Sequence, residues 1–273
     1  MLWELDQTEE VLRWYREFIP QAPDELTGFF ATLTVPPGPP FPEHLHNRKM
    51  CGVVWSYCGG PRKAVQVLKA ARSFLKPALD LVGPMPYPVL QSMFDPLLPP
   101  GLQWYWKAHF LKEIPDASLS VHRRFGEQMP TPLTTMHLYP IDGAARRVGK
   151  DETAWPNRDA VWAQVIVGID PDPANKDALT QWARSYWNEM EPFSMAGAYV
   201  SAAFAVVTQR AGEFGGPTRL WRVPLGGGKR QYASLPSFTA WAVPFGPTRV
   251  IAYGCDEDDK CSLVQRDVTY RTP

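Results

Sequence analysis

The chain reads as an α+β fold: one antiparallel sheet with helices on one face, an open opposite face, and a small β-rich or irregular C-terminal tail. Three observations predict it. Segments of helical spacing alternate with segments of period-two alternation, in the order helix, strand, strand, helix, then strand, helix, strand, strand, helix. Such mixtures fold as α+β, with helices segregated to one face of an antiparallel sheet. After about residue 200 the helical spacing stops, and glycine and proline recur in GEFGGPTRLWRVPLGGGKR. Two regions follow, residues 1–200 and a divergent tail of residues 201–273.

The elements are justified in order. Asp6 followed by Glu9 resembles an N-terminal capping arrangement, and Val11, Tyr15 and Phe18 repeat at helical spacing, so a helix is expected over 7–18. Pro20 and Pro23 end it. GFFATLTVPP, residues 28–37, is a strand with Phe29, Ala31, Leu33 and Val35 on one face and Phe30, Thr32 and Thr34 on the other. CGVVWSY, residues 51–57, is its antiparallel partner. Pro61 suits the first turn of a helix whose stripe is Ala64, Leu68, Ala71 and Leu75. A short helix is expected at 87–94.

GLQWYWKAHF, residues 101–110, is a strand, because aromatic side chains fit a pleated, half-buried surface. Leu102, Trp104 and Trp106 share the face assigned to the core, and Gln103, Tyr105 and Lys107 share the other. Asp116 can cap a helix through 128, with Leu119, His122, Phe125 and Met129 inward. In LTTMHLYPI, residues 133–141, Thr135, His137 and Tyr139 oppose Met136 and Leu138. After a polar loop, 142–159, VWAQVIVGI sets Ala163, Val165 and Val167 against Trp162, Gln164 and Ile166. Asp172 and Pro173 open a helix with the stripe Leu179, Trp182, Ala183, Tyr186 and Met190. On this reading Trp104, Met136 and Val165 lie under the helices. The open face carries Thr32, Thr34, Tyr105, Lys107, His137, Tyr139, Trp162 and Gln164, a mixture too aromatic for a water surface and too polar for a core.

Composition excludes several classes. Lys+Arg and Asp+Glu both number 28, so no basic excess points to nucleic acid or an anionic membrane. No apolar run approaches the roughly 20 residues that span a bilayer, and MLWELDQTEE lacks the features of a signal peptide. The expected location is cytoplasmic. Eleven tryptophans in a chain of zero net charge point to a broad core or an aromatic-lined site. The four cysteines are too few for a disulfide scaffold. Cys51 and Cys58 read as buried thiols, and Cys255 and Cys261 bracket an acidic turn across which they can pair in an oxidising compartment.

The chemical motifs are sparse. GGGK at 226–229 is a flexible turn, since Arg230 stands where a P-loop needs a hydroxyl residue. Glu43, His44 and His46 can seed a metal site, but loop histidines with structural hydrogen bonds are the preferred reading, and no metal is assigned. His122 on an apolar stripe reads as a satisfied core histidine. His137 sits mid-strand with Tyr139 on its predicted face, with Tyr105, Lys107 and Gln164 from neighbouring strands. A histidine among phenols can orient a polar substrate or accept a proton, and a histidine buried at a domain interface is the structural alternative.

LQWYWKAHF, TTMHLYPIDGAARRVGKDETAW, WAQVIVGIDPDPAN and FSMAGAYV, with LTVPPGPPFPEHLH, CGVVWSY and GPMPYPVLQSMFD before them, resemble the substrate domain of bacterial FAD-linked oxidases of the berberine-bridge-enzyme type. The resemblance runs from about residue 1 to residue 200. It implies an antiparallel sheet backed by helices, whose open face covers a flavin and forms the substrate pocket. It implies a flavin that takes a hydride from a small organic substrate, the cofactor supplying that chemistry and the protein the binding and orientation. The family's FAD-binding domain has no counterpart here, since Met1 falls where the substrate domain begins. The expectation is therefore a substrate-binding fragment that does not hold FAD alone, partnered by a separate FAD-binding domain or self-associating through its open face. Tyr199 matches the family's Tyr-x-Asn-aromatic motif and is the candidate catalytic residue, although Ser201 and Ala202 replace what should follow. Tyr105, Lys107, His137, Tyr139, Trp162 and Gln164 are the candidate substrate-binding residues. The competing class is a non-catalytic ligand- or partner-binding module using the same face.

Overall fold

The computed structural model describes residues 1–97, 99, 101–149, 152, 153, 155 and 157–195, with the backbone of six later strands. Contacts divide the chain into two compact units, Met1–Gly197 and Ala198–Pro273. In the first, chain order is β1 (Leu2–Glu4), α1 (Thr8–Phe18), β2 (Leu26–Thr34), β3 (Lys49–Tyr57), α2 (Pro61–Phe74), α3 (Tyr87–Ser92), β4 (Gln103–Leu111), α4 (Asp116–Glu127), β5 (Thr135–Pro140), α5 (Gly143–Arg147), β6 (Trp162–Asp170) and α6 (Lys176–Met190). The six strands form one antiparallel sheet in the order β1-β3-β2-β5-β6-β4. Two elements are absent from the sequence reading. β1 is too short to show a period, and α5 lies inside the stretch read as a polar loop.

Each long helix has a local reason to begin and a buried stripe. α1 starts where the Gln7 side chain accepts the Glu4 N–H at 3.1 Å and Thr8 Oγ1 donates to the Leu5 carbonyl at 2.6 Å, so the cap is not built on Asp6. Its Val11, Leu12 and Tyr15 are fully buried. Pro61 opens α2, which buries Leu68 and Ala71. Asp116 is the first residue of α4, after Pro115, so it is inside the helix rather than its cap. Before α6, Asp172 does cap, accepting the Ala174 N–H at 2.9 Å in the turn Pro173–Asn175. α6 lies close on β6 because residue 168 is glycine: a Cβ there would stand 2.8 Å from the Leu179 Cβ and 3.2 Å from its carbonyl oxygen.

The core fixes the faces of the sheet. Val11 and Tyr15 of α1, Leu68 of α2, Leu119 and Phe125 of α4 and Trp182 and Tyr186 of α6 join one cluster with Phe30, Cys51, Val53, Trp55, Met136, Leu138, Trp162 and Ile166 of the strands. All four long helices therefore cover one face. Directly paired residues in an antiparallel sheet share a face, so the register carries the assignment across the strands. Phe30 pairs with Leu138, Leu138 with Gln164 and Gln164 with His109, all on the helix side. Ala31, His137, Val165 and Ala108 form the matching row on the other face.

This register corrects the sequence reading at three strands. Met136 is in the core as expected, but Trp104 and Val165 lie on the helix-free face. Tyr105, Lys107, Trp162 and Gln164 lie on the helix side. So do Thr32, packed against Gly126 of α4, and Thr34, opposite Lys49, whose ammonium donates to the carbonyls at the end of α4. Cys51 is buried, whereas Cys58 is exposed.

A second, small cluster of Val35, Leu45 and Met50 closes the β1 end of the helix-free face under the loop after β2. His46 belongs to this loop, its Nε2 within hydrogen-bond distance of the Gly38 nitrogen and the Phe41 carbonyl. Among the described residues no group of three or more metal-ligating side chains converges, and no helix is long and apolar enough to cross a membrane.

The second unit is β-rich. β7 (Phe204–Arg210), β8 (Thr218–Pro224) and β9 (Gln231–Leu235) form one antiparallel three-stranded sheet, and β10 (Thr239–Pro244), β11 (Arg249–Cys255) and β12 (Cys261–Asp267) form another. Cys255 and Cys261 are direct partners across β11 and β12. Tyr199 and the GGGK turn lie outside the described residues.

Candidate functional site

The helix-free face brings an aromatic cluster together. β5 alternates cleanly, so Met136 and Leu138 enter the core and His137 and Tyr139 turn outward. His137 Nδ1 and the Tyr139 hydroxyl lie 2.7 Å apart. Phe29 of β2 packs against both, at 4.9 Å from the His137 ring and 4.8 Å from the Tyr139 ring, and Phe94 follows Phe29 at 6.2 Å. That contact ties the 81–94 segment to this face. The segment leaves Leu81, Met85, Tyr87, Val89 and Met93 exposed.

β4 supplies a second aromatic group. Trp104 and Trp106 stack at 5.6 Å with an interplanar angle of 16°. They are 37% and 57% exposed, unusual values for rings of that size. Between the two groups runs β6, which turns small side chains to this face. Val165 lies between His137 and Ala108, and Ala163 between Tyr139 and Phe110. β5 and β4 are two strand spacings apart, about 10 Å. The result is a shallow trough with a floor of Ala163 and Val165, Phe29, His137 and Tyr139 on one side, Ala108 and Phe110 opposite them in register, and Trp104 and Trp106 farther along β4, beside Ile169 and Val167.

Charge is sparse on these strands, although Arg158 stands over Trp155, whose ring packs on Phe110 of this face at 5.7 Å. Among the strand residues of this face the one formal charge is Glu4 of β1, at the far edge and paired with Arg48. Burial holds His137 well below the ordinary histidine value, at about 4, so its imidazole is neutral at pH 7. Burial pushes Tyr139 up to about 12, so its phenol keeps its proton. The pair is thus a neutral donor–acceptor couple.

Of the residues singled out in the sequence, the structure brings together His137 and Tyr139. Tyr105 instead faces α6, where its hydroxyl accepts from Arg184 Nε at 2.8 Å. The Lys107 ammonium sits 4.3 Å above the Trp187 ring of the same helix. Trp162 is a core residue beside Tyr15, with ring centroids 5.8 Å apart. Gln164 is fully buried, its amide close to the Tyr186 hydroxyl. Phe29, Phe94, Trp104 and Trp106 are the members that sequence reasoning missed. The signal that finds them is register: once His137 faces outward, Val165 and Ala108 must follow, and Trp106 lies two residues from Ala108.

The fold is similar to part of the fold of berberine-bridge-enzyme-type proteins. BBE-like protein 28 from Arabidopsis thaliana matches with a TM-score of 0.59 at 15% identity, over 76% of this chain and 46% of that one. Berberine bridge enzyme from Eschscholzia californica matches with a TM-score of 0.56 at 14% identity, over 73% of this chain and 41% of that one. An FAD-linked oxidoreductase of Dictyostelium discoideum is 22% identical over 139 residues, 50% of this chain and 31% of its own length. No family model matches. The chain spans less than half the length of these proteins.

FAD, which the Dictyostelium relative is named for, fits this face only in part. The exposed rings suit a flat isoalloxazine. A pyrophosphate needs clustered backbone amides, as at a helix N-terminus or a glycine-rich turn, or cationic side chains. Among the described residues, the strands of this face carry no lysine or arginine and no glycine-rich turn. The dinucleotide half has no evident cradle here.

Proposed function

We propose that Met1–Gly197 is the substrate-facing part of an FAD-linked oxidoreductase, its open sheet face forming the wall against which a small organic substrate lies. One observation carries this reading. A sheet closed on one side by four helices leaves an aromatic trough on the other, with the hydrogen-bonding couple His137 and Tyr139 at its rim. Sites for small molecules are concave and mostly apolar, with a few placed polar groups. The likeness of fold to berberine bridge enzyme supports the same reading.

In this proposal Phe29, Trp104 and Trp106 bind by ring contact, while His137 and Tyr139 orient a polar group of the substrate. A polypeptide other than this unit holds the flavin. Tyr199 remains a candidate through the resemblance alone. The test is to isolate the protein from its native host with whatever it is joined to or bound by. Flavin absorbance that bleaches when substrate is added supports the reading. A colourless assembly that still binds an aromatic ligand sinks it, in favour of a non-catalytic binding module.

A further inference from the structure

We infer that Cys255 and Cys261 close a disulfide bond across the last rung of the β11–β12 hairpin, alone among the four cysteines, and that the acidic connection between them makes cationic disulfides the faster oxidants. The bond belongs wholly to the second unit, so it holds whether or not the first unit meets a flavin.

Register places the pair. β11 and β12 are joined without a shift from Arg249 opposite Asp267 to Cys255 opposite Cys261. The two cysteines are therefore the last rung before the connection 256–260. A slip of one residue would put them on opposite faces of the sheet. Directly opposed residues share a face, and their Cα atoms lie about 4.5 or 5.5 Å apart, according to the kind of rung. Disulfides span Cα separations of about 4.4–6.8 Å, so both kinds are within reach.

The other two thiols explain the selectivity. Cys51 lies within β3, and burial pushes its thiol up to about 12, so it offers almost no thiolate at pH 7. Cys58 is exposed just beyond the end of β3. At about 3.4 Å per residue along an extended strand, these two stand on the order of 20 Å apart, far outside disulfide range.

The chemistry is thiol–disulfide exchange with a small-molecule disulfide. One cysteine thiolate attacks a sulfur of the oxidant, forms a mixed disulfide and expels one thiolate. The second cysteine attacks the protein sulfur of that mixed disulfide and expels the other. The hairpin loses two protons and two electrons, and the oxidant becomes two thiols. Between the cysteines stand Asp256, Glu257, Asp258 and Asp259, with Lys260 the one cation. Negative charge so near disfavours the attacking thiolate. It also repels an anionic disulfide and attracts a cationic one, and salt screens both effects.

The experiment is oxidation of the full chain with glutathione disulfide, which is anionic, or cystamine, which is cationic. Samples are alkylated under denaturing conditions and mapped by mass after trypsin. Trypsin cuts after Arg249, Lys260 and Arg266, so the bond joins fragments 250–260 and 261–266 into one species that reduction separates. That species should form with both oxidants, about tenfold faster with cystamine at low salt, and the gap should narrow in molar salt. Cys255→Ser should leave Cys261 capped by the oxidant, and Cys58→Ser should change nothing. Recovery of the two fragments unjoined, a bond from either cysteine to Cys58 or to a second chain, or equal rates with the two oxidants would each overturn the inference.

Discussion

His122 gives the sharpest physical prediction. It lies on α4, wholly buried, with Nδ1 2.6 Å from the Tyr186 hydroxyl and Nε2 without a partner. Burial alone pulls its value from 6.5 down to about 3, with no nearby charge opposing it. The sign follows from linkage. As pH falls, the unfolded chain takes up a proton on His122 near 6.5 while the folded chain refuses it until about 3. Stability from this residue is therefore full above 6.5 and drains as pH falls toward 3. Between 6.5 and pH 5 lie about 1.5 pH units at about 1.4 kcal/mol each, so the loss by pH 5 is about 2 kcal/mol. The perturbation is the double variant His122→Leu with Tyr186→Phe, which removes both partners of that bond together; the Tyr186 hydroxyl's approach to the buried Gln164 is lost at every pH alike, so the pH-dependent difference still reports on His122. The assay is urea unfolding from pH 7 to pH 5. Wild type should lose about 2 kcal/mol more than the variant over that range. The variant retains His109 and His137, which burial also lowers, so its curve keeps some slope. Parallel curves would refute the argument, since they would mean that His122 reaches water or takes a proton while folded.

Three further outcomes are expected. Gly168→Ala should destabilise the first unit by about 1–3 kcal/mol in chemical denaturation, because its Cβ enters the space of Leu179 on α6; an unchanged midpoint would count against that close approach. Purified chain should self-associate through the uncovered rings of β4, and Trp104→Lys with Trp106→Lys should return it to monomer in sedimentation velocity; association unaffected by both changes would place the contact elsewhere. Titration with FAD, followed by flavin fluorescence, should show no stoichiometric complex at micromolar concentrations, and such a complex would reveal a pyrophosphate site beyond the strands of the open face.

How much of this is legible in the sequence depends on the strand. β5 can be read directly, because Met136 and Leu138 are apolar while Thr135, His137 and Tyr139 are not. The long helices are equally plain, since a stripe such as Leu179, Trp182, Ala183, Tyr186 and Met190 has one apolar face and one polar face. β4 and β6 resist for a physical reason. β4 is the edge strand, and its helix-side residues meet the rim of α6 rather than its centre. Tyr105 and Lys107 suit a rim, because each lays an apolar body on the helix and keeps a polar tip for Arg184 or for the face of Trp187. Ranking Trp104 and Trp106 as more apolar than Tyr105 and Lys107 therefore inverts the strand. In β6 both faces are apolar apart from Asp170 at its last position and Gln164, which points into the core. Period-two alternation reports a face only when that face meets water. Where the open face is lined with Trp104, Trp106, Val165 and Ala163, the contrast between the two sides vanishes. The ambiguity is thus confined to strands that build the trough, and local rules fail most often where a surface serves function rather than stability. Two neighbouring strands whose polarity cannot be assigned, beside one whose polarity is plain, mark the same place on the sheet as the exposed tryptophans do.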